Sequence, residues 1–213
     1  MFQETTLFDT LFDTLLNLIK NQDIDELKKL YESGVDPHQY LMEYAIEVNN
    51  IEIIQFLLDK GYTLTCNNMC LASSYGHLDI MKFFHSLNCP YNYDMASEAS
   101  KFGHLESLKY AIEIGNKDIF KYSLYNATIT GQLDIIRYLV EEKKEYVDLT
   151  IVELAANKGH LECLKYFHSI HAPFKKSVLN YAKSSRSKNK LKVIEYLSEV
   201  LGMNEEDHDC EYY

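Results

Sequence analysis

The sequence predicts an all-α fold of about seven stacked helix-turn-helix units. Three observations carry this: an apolar residue recurring at nearly constant spacing, a column of alanines in register with it, and a glycine or asparagine just before it. The recurring residue is Ile24, Ile51, Leu78, Leu105, Leu133, Leu161 and Leu191, at spacings of 27, 27, 27, 28, 28 and 30. Six residues before five of these markers stand Ala45, Ala72, Ala99, Ala127 and Ala155, and Ala182 precedes the last by nine, across a Ser/Lys-rich insertion. A small side chain at one fixed point lets neighbouring helices approach, where a larger one would overpack the contact. Two residues before the markers come Gly76, Gly103, Gly131 and Gly159, with Asn49 and Asn189 in two other units, residue types that tolerate the left-handed conformation closing a helix.

Each unit then reads as a short inner helix, a tight turn and a longer outer helix. Three and six residues after the marker the chain is apolar in nearly every unit, as in Leu27 and Leu30, Ile54 and Leu57, Met81 and Phe84, Ile136 and Leu139, Leu164 and Phe167, Ile194 and Leu197. Steps of three and four residues build one helical stripe. The residue after the marker is acidic in the first six units, from Asp25 to Glu162, and the fourth is usually basic, as in Lys28, Lys82, Lys109, Arg137 and Lys165. Acid first and base later suits the helix dipole. Gly34, Gly61 and Gly115 close three outer helices. The units fall near 7–37, 38–64, 65–91, 92–119, 120–149, 150–176 and 177–202, forming one domain over 1–202 ahead of an acidic tail at 203–213. Neither helix buries its stripe alone, so the fold depends on neighbouring units.

Composition narrows the partners. A net charge of −11, from 21 Lys and Arg against 32 Asp and Glu, repels nucleic acid phosphates and acidic membrane surfaces. The five cysteines are odd in number and scattered, and Met1 to Thr6 lacks the basic start of a secretory signal, which predicts a reducing, intracellular and cytoplasmic setting. Leu7 to Ile19 is broken by Asp9 and Asp13 and is too short to cross a bilayer, so no membrane anchor is expected.

The phrases Ala72-Ser-Ser-Tyr-Gly-His-Leu-Asp-Ile-Met-Lys-Phe-Phe and Ala155-Ala-Asn-Lys-Gly-His-Leu-Glu-Cys-Leu-Lys-Tyr-Phe resemble the core of the ankyrin repeat, over about Leu7 to Gly202. The family's opening Thr-Pro-Leu-His is replaced by Asn67-Asn-Met-Cys or Thr150-Ile-Val-Glu, and the period is shorter than the usual ~33 residues. The resemblance therefore implies an ankyrin solenoid with short loops in place of hairpin fingers. Compact repeats followed by Cys89-Pro90 or Ala172-Pro173 are similar to those of giant amoebal viruses and some protists, which implies a viral or host-interaction factor.

Family members bind proteins through the concave face of the inner helices. That implication selects Glu43, Glu47, Tyr75, Lys101, Phe102, Tyr125, Ile129 and Lys158 as partner-binding residues, beside Ser74 and Asn157. Tyr75, Phe102 and Tyr125 stand out because aromatic side chains in a groove are preferred interface anchors. The function expected is a protein-interaction scaffold, monomeric and without cofactor, with a structural or self-assembling array as the alternative.

His77, His104 and His160 occupy the same turn of different units, so at roughly 10 Å per packed helix they cannot converge on one metal ion, and they are read as turn residues bonded to backbone. Cys66 and Cys70 share a helix face without a second ligand pair and are assigned to core packing. His168, His171 and the terminal Asp207-His208-Asp209-Cys210 lack a partner half-site and are assigned no metal. Residues 175–192 hold Lys175, Lys176, Lys183, Arg186, Lys188, Lys190 and Lys192 with no acid, which reads as a solvated loop insertion, with nuclear import or contact with an acidic partner as the other uses. There is no Gly-rich phosphate loop, no nucleophile elbow and no His-Glu-x-x-His, so no catalytic residue is assigned.

Overall fold

Each marker residue from Ile24 to Leu161 is the first residue of an α-helix. The structure is a computed structural model that describes residues 13–34, 41–115 and 120–202. The expected unit boundaries within 35–40 and 116–119, the segment 1–12, and the tail 203–213 with its Asp207-His208-Asp209-Cys210 cluster lie outside the described residues. Helices alternate inner and outer: α1 (13–20) and α2 (Ile24–Glu32), α3 (Leu41–Glu47) and α4 (Ile51–Asp59), α5 (Cys66–Ser74) and α6 (Leu78–Ser86), α7 (Asp94–Phe102) and α8 (Leu105–Ile114). They continue as α9 (Phe120–Thr130) and α10 (Leu133–Arg137, prolonged by a π-turn over Tyr138–Glu142), α11 (Leu149–Lys158) and α12 (Leu161–Ser169), α13 (Lys176–Lys183) and α14 (Lys190–Val200). The fold is all-α, with no strand among the described residues. None of these helices is long and apolar enough to cross a membrane.

Contacts divide the chain into two compact units, residues 1–99 with 106–115 and residues 100–105 with 116–213, the division falling inside α7. In the first unit α3 packs on α4 and α5, and α5 on α6; in the second α11 packs on α9, α12 and α13, and α13 on α14. Ala45, Ala72, Ala99, Ala127, Ala155 and Ala182 are all fully buried, as a small-residue spacer requires. The outer stripes are buried too, through Leu27, Ile54, Leu57, Met81, Phe84, Leu108, Ile136, Leu139, Leu164 and Phe167. The last pair departs from the expected register. Its outer helix begins one residue early, at Lys190; Val193 takes the core position with Leu197, Ile194 is half-buried, and Leu191 is 79% exposed.

Left-handed backbone punctuates both ends of the outer helices. Two residues before the outer helix, φ is +57° at Gln22, +55° at Asn49, +75° at Gly76, +86° at Gly103, +75° at Gly131 and +79° at Gly159. Gln22 belongs to this column although its side chain gives no signal. Asn189 does not, because its φ is −88° and it caps α14 instead. A second column closes the outer helices at Gly34, Gly61, Asn88 and His171, each ten residues past its marker. The corresponding residue after α10 is Lys144, eleven past Leu133. The π-turn accommodates that additional residue inside the helix. The fifth spacing of 28 residues is thereby traced to one widened turn.

The outer helices are cross-linked by a register absent from the sequence reading. The residue seven past one marker meets an aromatic five past the next: Tyr31 packs edge-on against Phe56 with ring centroids 4.9 Å apart, His85 Nδ1 is hydrogen-bonded to the Tyr110 hydroxyl at 2.8 Å, and His168 Nδ1 to that of Tyr196 at 3.0 Å. Within the widened helix the partner of Tyr166 is Glu141, eight past its marker, whose carboxylate accepts from the Tyr166 hydroxyl at 3.0 Å. The π-turn therefore carries a carboxylate into the position that His85 and His168 hold in their repeats.

Candidate functional site

The turns joining inner to outer helices fix how the inner-helix ends are presented. The residue before each outer helix is a helix cap, yet in His77, Gln132 and His160 the side chain does not bond its own helix. It reaches back one repeat. His77 Nε2–H donates to the Glu47 carbonyl at 3.2 Å, His160 Nε2–H to that of Ile129 at 2.8 Å, Gln132 Nε2–H to that of Lys101 at 3.5 Å, and Asn189 Nδ2–H to that of Gly159 at 3.4 Å. Each bond satisfies a carbonyl that the end of an inner helix leaves open. Histidines expected to bond nearby backbone thus bond backbone about thirty residues away. The glycine column has a second cause beside its φ: a Cβ at Gly131 would lie 2.5 Å from His160 Nδ1, and one at Gly159 would run into the Ser187 side chain.

The expected partner-binding residues sit on these inner helices and their caps. In the first unit Glu47 is exposed and Glu43 half-buried, its carboxylate accepting from Asn67 Nδ2 at 3.5 Å. Tyr75, the cap of α5, is 40% exposed and stacks on His77 with centroids 5.7 Å apart. Partial burial and then the negative charge of Glu47 push its hydroxyl pKa up. In the second unit Phe102 is 50% and Tyr125 42% exposed, the Lys101 ammonium lies 5.0 Å from the Phe102 ring centroid, Ile129 is half-buried and Lys158 exposed. Tyr93 and Tyr122, at 59% and 60% exposed, are further aromatics on or beside inner helices that the sequence reading did not select.

Among the described residues an open groove runs along inner helices in each unit. The first, about 360 Å³, is lined by Cys66, Asn67, Cys70, Ser74, Asp94 and Glu98 among others. This corrects the assignment of Cys66 and Cys70 to the core: Cys66 is exposed and Cys70 is half-buried against the groove, its thiol donating to Asn92 Oδ1 at 3.4 Å. Burial, followed by the charge of Asp94, pushes the Cys70 thiol up to about 12, so it is not a ready nucleophile. Cys89 and Cys163 are the buried thiols, each pushed up to about 11 chiefly by burial. No group of three or more His, Cys, Asp or Glu among the described residues could hold a metal ion.

The second groove, about 480 Å³, is lined by Asn157, Lys158, Ser184, Arg186 and Ser187. Its far wall is the inserted stretch between α13 and α14, where Ser184, Arg186, Lys188 and Asn189 are exposed to solvent and Ser185 is buried. Ser185 is only 5% exposed and its Oγ accepts from the Ser187 amide at 3.1 Å. Ser187 Oγ in turn accepts from the Asn189 amide at 3.2 Å. Neither a family model nor a curated protein matches the chain.

What the residues can do follows from their chemistry. Exposed aromatic faces and charged side chains at inner-helix ends offer recognition surface, spread over several repeats and not gathered round one reacting centre. The aromatic selection rested on position within the repeat, and Tyr75, Phe102 and Tyr125 are exposed. The groove at Arg186 had only the charge run as its signal.

Proposed function

We propose that the chain is an ankyrin-like repeat scaffold that binds a partner protein through the inner helices of both units. The observation that carries this reading is the exposure of Tyr75, Phe102 and Tyr125, 40–50% open to solvent in helices whose alanine faces are fully buried. Aromatic rings left in water on an otherwise packed helix lose the hydrophobic gain that burial would supply, which a partner's surface can restore. The repeat period, the alanine column and the Gly-His-Leu turns support the ankyrin likeness, and the short connectors support loops in place of fingers.

The test places a photo-crosslinking residue at Tyr75, Phe102 or Tyr125, and for comparison at Lys82 or Lys165 on outer helices, in the cell that makes the protein. Crosslinks to one common protein from the inner positions, and none from the outer ones, are expected. Replacing all three aromatics by alanine should abolish that adduct while the thermal midpoint stays put. Adducts of the same kind from both faces, or an adduct that survives the triple replacement, would reject the inner-helix assignment. A molar mass that rises with concentration in light scattering would replace it with self-assembly.

A further inference from the structure

We infer that the groove between the end of α11 and the inserted loop before α14 is a docking site for an acidic, carboxylate-rich peptide segment of the partner protein. The inference rests on the partner-binding reading above and adds the chemistry of what is bound. Several cations on the outer helices are neutralised close to home, Lys29 by Glu26 at 2.9 Å, Lys109 by Glu106 at 2.8 Å, Lys165 by Glu162 at 2.8 Å and Arg137 facing Glu141 at 3.8 Å, whereas Lys82, Lys190 and Lys192 make no ion pair among the described residues. Lys158 and Arg186 make no ion pair among the described residues, and the 175–192 stretch beside them holds no acid. None of the five residues lining the groove is acidic.

The loop that carries Arg186 is held before any ligand arrives. Ser185 is buried, the Ser185 and Ser187 hydroxyls accept from the Ser187 and Asn189 backbone amides in turn, and Asn189 is tied to the Gly159 carbonyl at 3.4 Å. Ordering a cation in advance removes part of the entropy cost of binding. A guanidinium presents a planar fork that matches a carboxylate in two parallel hydrogen bonds, and Lys158 across the groove supplies a second positive charge. At physiological salt this attraction reaches only about 8 Å. A short peptide concentrates its charge within that range, whereas a nucleic acid strand continues past the groove over a chain of net charge −11.

The test uses the full chain and a fluorescein-labelled octapeptide of alternating Glu and Ser, with the Gln and Ser peptide as its neutral match, read by fluorescence anisotropy at 50 and 150 mM salt. Binding of the acidic peptide alone, weakened at least tenfold by Lys158→Glu with Arg186→Glu and left within twofold by Lys82→Glu with Lys109→Glu, supports the site. Arg186→Lys keeps the charge and loses the fork, and should weaken binding severalfold in a protein that melts like the parent. Four results would each overturn it: no binding at 50 mM salt, equal loss in the two charge-reversed pairs, tighter binding of a single-stranded octanucleotide through the same two residues, or peptide binding that appears only after Glu205, Glu206, Asp207, Asp209 and Glu211 are neutralised, which would assign the groove to the chain's own tail. These variants leave Tyr75, Phe102 and Tyr125 intact. Crosslinks that persist from the aromatics while peptide binding is absent therefore reject the acidic site alone.

Discussion

The outer helices and the inner-helix ends are made of the same repeats and treat polar groups in opposite ways. On the outer helices Lys109, Lys165 and Arg137 face acids on their own helix, and Tyr110, Tyr166 and Tyr196 hydrogen-bond the preceding outer helix. At the inner ends Lys158 and Arg186 are exposed without an ion pair among the described residues, and Phe102 and Tyr125 keep about half their surface in water. In these repeats the outer side pairs many of its polar groups, and the inner ends leave aromatic and cationic side chains in water. Under the proposed function the difference assigns stability and binding to separate faces, and it can be broken from either side.

The largest effect is expected where the two faces meet the core. Ala155→Glu places an unpaired charge at a fully buried contact of α11 and should cost about 3–5 kcal/mol or abolish cooperative melting, as read by circular dichroism. A cooperative melt within a few degrees of the parent would mean that the alanine column does not set the helix spacing.

A smaller effect separates backbone conformation from lateral packing. Gly61 and Gly131 both have positive φ, +95° and +75°, but a Cβ at Gly61 meets nothing within 4 Å while one at Gly131 strikes the His160 ring. Gly61→Ala should cost about 1–2 kcal/mol from conformation alone. Gly131→Ala should cost more, and His160→Ala in the same chain should recover the excess. Equal costs in chemical denaturation would remove the lateral bond from the account of the turn.

The smallest effect concerns the outer ladder. Burial first, then the hydrogen bond and charge of Glu141, against the opposing Arg137, push the Tyr166 hydroxyl up to about 12 from an ordinary value near 10. The folded state thus holds this proton more tightly than the unfolded one, so the stabilisation is complete below pH 10 and is lost as pH rises from 10 through about 12. Tyr166→Phe should flatten that alkaline decline in thermal midpoint while changing the value at neutral pH little. An unchanged alkaline limb would show that the ladder contributes nothing at this rung.

Particular residues show how much could be read beforehand. The helix starts at Ile24, Ile51, Leu78, Leu105, Leu133 and Leu161, the buried alanines and the left-handed Asn49 were legible because each is a local requirement repeated in register. Gln22 and Lys144 adopt positive φ without a residue type that asks for it, since the stacked helices on either side impose the turn. The aromatic column from Phe56 to Tyr196 was overlooked because five residues past the marker falls outside the two-position stripe, and its partners lie on the neighbouring repeat. Cys66 and Cys70 were misplaced for a related reason: spacing assigns a helix face, but only the neighbouring helix, here with Asp94 and Glu98, decides whether that face is core or groove.

By itself, then, the sequence determined the period, the two-helix unit and the residues that must be small, because helix geometry converts spacing along the chain directly into position on a face. Tertiary structure alone decided which side chain from the next repeat covers each turn, where the additional residue of α10 is absorbed, and that Arg186 stands on a pinned loop opposite Lys158. Those outcomes depend on groups about thirty residues apart meeting in space, and no local pattern encodes the distance between them.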